Sequence, residues 1–161
     1  HFDLIGPSNK QLFMSTAVNN MIDGQHMLAT MLIGGVPERF PNLRIGILEA
    51  SGGWLVPLLE RLDHRYEHLG HALSDLTIKP SEYFKRQVWI SFDPDEFPLA
   101  MTAAWIGADR IIWGSDFPHP DAFYPGFVNM LNSSIEGLSS DEQDRIRGLN
   151  AIDFYKLPTR R

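Results

Sequence analysis

Apolar positions fall into two kinds of run along this chain. Leu43 to Leu48, Val88 to Phe92 and Arg110 to Gly114 are short runs that suit strands of a sheet buried on both faces. Between them, apolar residues recur at helical steps. Gln25 to Ile33 reads as an apolar helix, ended or reshaped by Gly34-Gly35 and Pro37. Leu55, Leu58, Leu59, Leu62, Tyr66 and Leu69 form the inner stripe of an amphipathic helix, with Pro57 in its first turn and Glu60, Arg61, Asp63, Arg65 and Glu67 interleaved. Shorter helices are predicted over 79–84 and 98–106, and a further helical layer over 123–131. Ser140-Asp141-Glu142-Gln143 has the Ser-x-x-Gln spacing of a capping box and predicts a last helix over 141–155. The stretch through Gly6, Pro7, Ser8 and Asn9 reads as a loop. Strand and helix alternate, which predicts a parallel sheet with covering helices, and no fixed-period repeat interrupts it.

Each predicted strand runs into an acid. Glu49 precedes Ala50-Ser51-Gly52-Gly53, Asp93-Pro94-Asp95 follows the second strand, and Asp116 precedes Phe117-Pro118-His119-Pro120. Prolines cannot donate to a sheet ladder, so the third strand stops at Asp116. In parallel α/β architectures the C-terminal strand ends face the ligand site, which makes Asp116 the leading candidate for chemistry. The competing reading is an Asp that only caps the next helix, and Glu49 carries the same ambiguity at its glycine turn. His119, between two prolines, is placed to fix Asp116 or to touch substrate, or is a rigid turn residue.

Composition narrows the classes. The 161 residues suit one domain, and the net charge of −6 without any Lys/Arg run beyond Arg160-Arg161 argues against a nucleic-acid partner. There is no cysteine, so any metal must use His, Asp or Glu. No apolar stretch approaches a membrane span and no basic-then-apolar leader is visible, so the expectation is a soluble, cytoplasmic chain without a membrane partner. His64, His68 and His71 share helical spacing but lack a His-Glu-x-x-His arrangement and belong on an outer face.

Four blocks then stand out together: Glu38-Arg39-Phe40-Pro41-Asn42-Leu43-Arg44; Leu48-Glu49-Ala50-Ser51-Gly52-Gly53-Trp54 with Arg61-Leu62-Asp63; Gly114-Ser115-Asp116-Phe117-Pro118-His119-Pro120; and Asn150-Ala151 with Phe154-Tyr155. In order and spacing they resemble the amidohydrolase-related family, which includes aminocarboxymuconate-semialdehyde decarboxylase and resorcylate decarboxylases. The resemblance implies an α/β fold, the C-terminal portion of a (β/α)8 TIM barrel of the metal-dependent hydrolase type, with residues 1–161 as one partial domain from the end of strand 5 to helix 8. It implies a divalent metal, zinc first and manganese second, with Asp116 as ligand and proton handler and His1 near the strand 5 histidine ligand. The family's opening His-x-His or Glu-x-His motif has no counterpart here, and Glu49 stands where the decarboxylases place a catalytic histidine.

Three functions are expected from this reading. The first is a metal-dependent hydrolase of a small amide, ester or lactone, with Asp116 and Glu49 catalytic and His119 binding substrate. The second is a non-oxidative decarboxylase on the same scaffold. The third is a non-catalytic barrel piece, because a few parallel strands leave open edges; such a chain is expected to form a homo-oligomer or pair with an N-terminal half-barrel.

Overall fold

The computed structural model describes residue 11 and residues 14–72, 75–119, 122 and 124–158; His1 and the loop predicted over Gly6 to Asn9 lie outside them. Three parallel strands, β1 (Ile45–Ile47), β2 (Val88–Phe92) and β3 (Ile111–Trp113), lie side by side in chain order, with Ile47 opposite Ile90 and Ile90 opposite Ile111. Because side chains alternate along a strand, Ile45, Ile47, Val88, Ile90, Phe92 and Ile111 share one face, while Gly46, Trp89, Ser91 and Ile112 share the other. β1 is shorter than the predicted run because Leu43 and Leu48 are exposed and leave only the Ile-Gly-Ile centre in the ladder.

The first face packs against helices. These include α1 (Asn20–Ile33), α3 (Leu55–Leu69), α4 (Pro80–Gln87) and α5 (Leu99–Ile106), which contribute Leu28, Leu32, Leu55, Leu59, Tyr83, Phe84 and Leu99, all without solvent exposure. Each such leucine stabilises the fold by about 1.5–3 kcal/mol relative to leaving it exposed. α1 begins earlier than its apolar pattern predicts and follows a wide π-type turn over Ser15–Asn19.

Polar side chains fix how the helices enter. Asp63 of α3 accepts from the Ser81 backbone N–H at 2.9 Å and from its hydroxyl at 2.6 Å, and Glu82 accepts from the Lys79 N–H at 2.9 Å, so donors at the start of α4 are satisfied from two directions. The short helix α2 (Val36–Arg39) leads toward β1, and its Glu38 carboxylate accepts from the Tyr83 hydroxyl and from Thr77. The Tyr83 hydrogen bond is the main reason that the Glu38 carboxyl is held below the ordinary glutamate range. Gln87, buried at the end of α4, donates to the Phe40 and Leu43 carbonyls and so ties the entry of β1 to the same helix.

After β3, α6 (Phe127–Ser134) starts later than expected, behind Gly126. α7 (Ser140–Asp144), a π-type turn (Arg145–Leu149) and α8 (Asn150–Tyr155) continue one another and fill the predicted last helix. Its cap is Ser139, one residue before the predicted capping serine. Ser139 has the extended backbone that a cap needs, its hydroxyl accepts from Glu142 N–H, and Glu142 returns a 2.9 Å bond to Ser139 N–H. The same serine holds the Glu142 carboxyl below its usual range.

α8 is fastened to β1 and β2. Phe154 lies on the second face of the sheet, its ring 5.3 Å from that of Trp89 and so close to Gly46 that a Cβ there would come within 2.8 Å of it. Arg44 adds a 2.7 Å bond to the Asp153 carbonyl. Asn150, only 1% exposed, donates from Nδ2 to the Ala108 and Ile111 carbonyls at 2.7 Å each. Among the described residues, one edge of β1 and one edge of β3 carry no partner strand. No helix among the described residues is long and apolar enough to cross a membrane.

Candidate active site

The three strands point the same way, so the loops that follow them meet at one end of the sheet. There they enclose a cavity of about 320 Å³. Glu49, Ala50 and Ser51 line it after β1; Ser91, Phe92 and Asp93 line it at the end of β2; Gly114, Asp116 and His119 line it after β3. Thr16, Ala17, Asn20 and Met21 form the remaining wall. The sequence-predicted Glu49, Asp116 and His119 therefore share one cavity, although they are 70 positions apart at the extremes. Asp93, Asp95 and Asp116 also border an adjoining cavity of about 280 Å³.

Backbone geometry singles out the same positions. Glu49, Ser51 and Asp116 have φ of 56°, 54° and 53°, in the left-handed region that non-glycine residues rarely occupy. Among the described residues the other such non-glycine is Lys156, at the end of α8. Left-handed residues cost free energy and persist where surrounding contacts hold them, which is common at functional sites. Here the holding contacts are visible. Glu49 N–H donates to the Ser91 hydroxyl at 3.1 Å. His119 N–H donates to the Asp116 carbonyl at 2.8 Å, and His119 Nδ1 lies 3.1 Å from Asp116 Oδ2. Asp116 and His119 thus form a carboxylate–imidazole pair within one turn, partly open to solvent.

One residue that sequence reasoning passed over organises the rim. The Glu96 carboxylate accepts from Gly52 N–H, Gly53 N–H and Asp93 N–H at distances between 2.9 and 3.2 Å. Nothing in the Asp-Pro-Asp-Glu stretch distinguishes this acid from its neighbours, because two of its three partners lie more than 40 residues away. Gly52 has its own constraint. A Cβ there would fall 2.1 Å from the Phe92 ring, so only glycine lets this loop cross the end of β2.

Other candidates separate from the cavity. His64 and His68 stack at 4.3 Å on the exposed side of α3, with His68 Nδ1 donating to the His64 carbonyl. Arg61 is exposed on the same helix, and His26 is exposed on α1. His1 lies outside the described residues. Among the described residues no three His, Asp or Glu side chains gather closely enough to hold a metal ion. A catalytic zinc ordinarily takes three protein ligands, so the Asp116–His119 pair is not by itself such a site.

A family model described as amidohydrolase matches residues 13–157. The chain is 30% identical over 138 residues to a 2-amino-3-carboxymuconate-6-semialdehyde decarboxylase of Dictyostelium discoideum, a match that covers 81% of this chain and 36% of that protein. It superposes on an amidohydrolase of Mycobacterium avium subsp. paratuberculosis with a TM-score of 0.76 at 24% identity, covering 92% of this chain and 37% of that one. A 5-carboxyvanillate decarboxylase from Sphingomonas paucimobilis gives a TM-score of 0.64 at 24% identity, over 81% and 38% of the respective chains. The chain therefore spans little more than a third of the length of these relatives, and its parallel sheet and helices correspond to part of a TIM barrel. Since the sequence match runs from before α1 to the end of α8, and its acids meet at the strand ends of that barrel, this chain belongs to the amidohydrolase family.

Proposed function

We propose that the chain carries part of the active site of a carboxy-lyase, acting on an unsaturated or aromatic carboxylate. The observation that carries this is the Asp116–His119 pair at the mouth of β3, in one cavity with Glu49. In such a reaction the bond between the carboxylate carbon and an sp² carbon breaks, CO2 leaves, and a proton takes its place. The pair supplies that proton and recovers one from water, which is general acid work suited to a carboxylate and an imidazole held in contact. Glu49, whose backbone amide donates to the Ser91 hydroxyl, orients a hydroxyl or amino group of the substrate, and His119 contacts it directly.

The decarboxylase reading displaces hydrolysis as the leading expectation because two of the similar proteins are decarboxylases by name. Hydrolysis stays as a second reading on Glu49, which by the family resemblance stands where the decarboxylases place a catalytic histidine. The proposal extends to the whole assembly. Residues 1–161 run from the end of strand 5 to helix 8, with β1 to β3 as strands 6 to 8, and the open edges pair with the rest of a barrel or with a second copy. A divalent metal, zinc or manganese, would take Asp116 together with ligands outside the described residues, His1 among them. The protein is proposed to work in the cytoplasm.

The test offers 5-carboxyvanillate, 2-amino-3-carboxymuconate 6-semialdehyde and a panel of esters, amides and lactones to the protein in its assembled form, paired with the rest of its barrel or with a second copy. CO2 release that falls at least about 100-fold in Asp116→Asn is the expected result. Ring or ester opening without CO2 would transfer the assignment to hydrolysis. CO2 release undiminished in the variant would remove Asp116 from the chemistry.

A further inference from the structure

We propose that Glu96 is a positioning residue that sets the geometry of the active-site rim. It does not line the cavity. Instead its half-buried carboxylate joins the two loops that do. Oε1 and Oε2 take Gly52 N–H at 3.2 and 3.0 Å, Oε2 takes Gly53 N–H at 3.2 Å, and Oε1 takes Asp93 N–H at 2.9 Å.

Within the loop Trp54 Nε1 donates to the Ala50 carbonyl at 2.7 Å, and the rest of its shape is held from outside. Glu49 and Ser51 both sit at left-handed φ, and Gly52 is pressed against the Phe92 ring. Strained backbone of this kind relaxes unless contacts from outside the loop oppose it. Two side chains from the β2 side provide that opposition. Ser91 holds the amide of Glu49, and Glu96 holds those of Gly52 and Gly53 while anchoring itself to Asp93. A carboxylate offers two oxygens with several lone pairs, so one side chain can receive three amides at once; an amide side chain gives up one of those oxygens. Removing Glu96 lets the loop around Glu49 and Ser51 return toward negative φ, which moves Glu49 relative to Asp116 and His119 in the cavity that they line.

For its catalytic half the proposal rests on the carboxy-lyase reading, and the experiment separates the two. Backbone assignments of the wild type, Glu96→Gln and Glu96→Ala give amide exchange rates and the Cα and Cβ shifts of Glu49 and Ser51. In Glu96→Ala, exchange at Gly52, Gly53 and Asp93 should rise about tenfold or more, while Ile90 and Ile112 keep wild-type protection. The Glu49 and Ser51 carbon shifts should leave the left-handed range, and Glu96→Gln should recover part of both effects. Turnover should fall mainly in kcat, with KM changed less. Unaltered exchange and carbon shifts in Glu96→Ala would overturn the clamp whatever the reaction. A loosened rim in a variant that turns over as the wild type does would overturn the positioning role. Loosening by the exchange and shift criteria in an assembled protein that releases no CO2 would uphold the clamp and reject only the carboxy-lyase reading.

Discussion

Asn150 offers the sharpest test of how the last helical stretch holds β3. Its Nδ2 spans two carbonyls, Ala108 just before the strand and Ile111 at its first residue, at 2.7 Å each, in a site 1% exposed. Asn150→Ala removes both donors: the Ala108 carbonyl keeps the Ile111 N–H, and the inward Ile111 carbonyl loses a buried partner. A net hydrogen bond contributes about 1 kcal/mol and an abandoned buried acceptor costs about 1–3 kcal/mol. Losing the side chain also removes Oδ1, a buried acceptor without a partner among the described residues, which offsets part of the cost. The balance predicts a loss of about 2–4 kcal/mol, a large share of the roughly 5–15 kcal/mol that a domain possesses. Asn150→Asp keeps the shape but sets a carboxylate oxygen against both carbonyls, so it should be worse than Ala at neutral pH and recover partly in acid. Urea unfolding with linear extrapolation measures both. An alanine variant within about 0.5 kcal/mol of wild type, together with an aspartate no worse than the alanine, would refute the clasp.

Two further predictions concern Gly52 and Glu38. Gly52→Ala forces a methyl into the Phe92 ring and should cost at least about 1–3 kcal/mol, with near-ultraviolet dichroism changing at the β1 and β2 ends. Glu38 is held below its ordinary value near 4.5, chiefly by the Tyr83 hydroxyl and further by Thr77, with Arg86 adding attraction. Its folded-state pKa is depressed, so its contribution is fully present above the ordinary value and is lost as pH falls through the depressed one. Glu38→Gln should therefore flatten the acid limb of the stability profile below about pH 5 and leave its slope near neutrality unchanged; an unchanged acid limb would reject the linkage.

The layered architecture was legible because β2 is an apolar and aromatic run stopped by Asp93-Pro94, and its predicted and observed bounds coincide. β1 was overrun because Leu43 and Leu48 look like core from their chemistry and are exposed in the fold. The cap of the last helix was misplaced by one residue because adjacent serines have the same chemistry and differ only in backbone conformation. Strand ends directed attention to Glu49 and Asp116, but their left-handed backbone has no signature in residue type; unlike glycine, neither advertises it. Glu96 was invisible for another reason. It makes no pattern with neighbours, and its meaning arises only when the chain brings Gly52 and Gly53 to it.

The contact of Phe154 with Gly46 and Trp89 has a consequence for synthesis. β1 is made well before α8, which carries the ring that covers its second face. During translation the nascent sheet therefore exposes that face until α8 has left the ribosome. A pairing this distant in sequence slows folding and lengthens the interval in which apolar surface is available to other chains. A chain truncated before Phe154 would keep its cavity-lining acids and all three strands, but leave the Gly46–Trp89 face bare, and chaperone dependence is where that loss would first be felt.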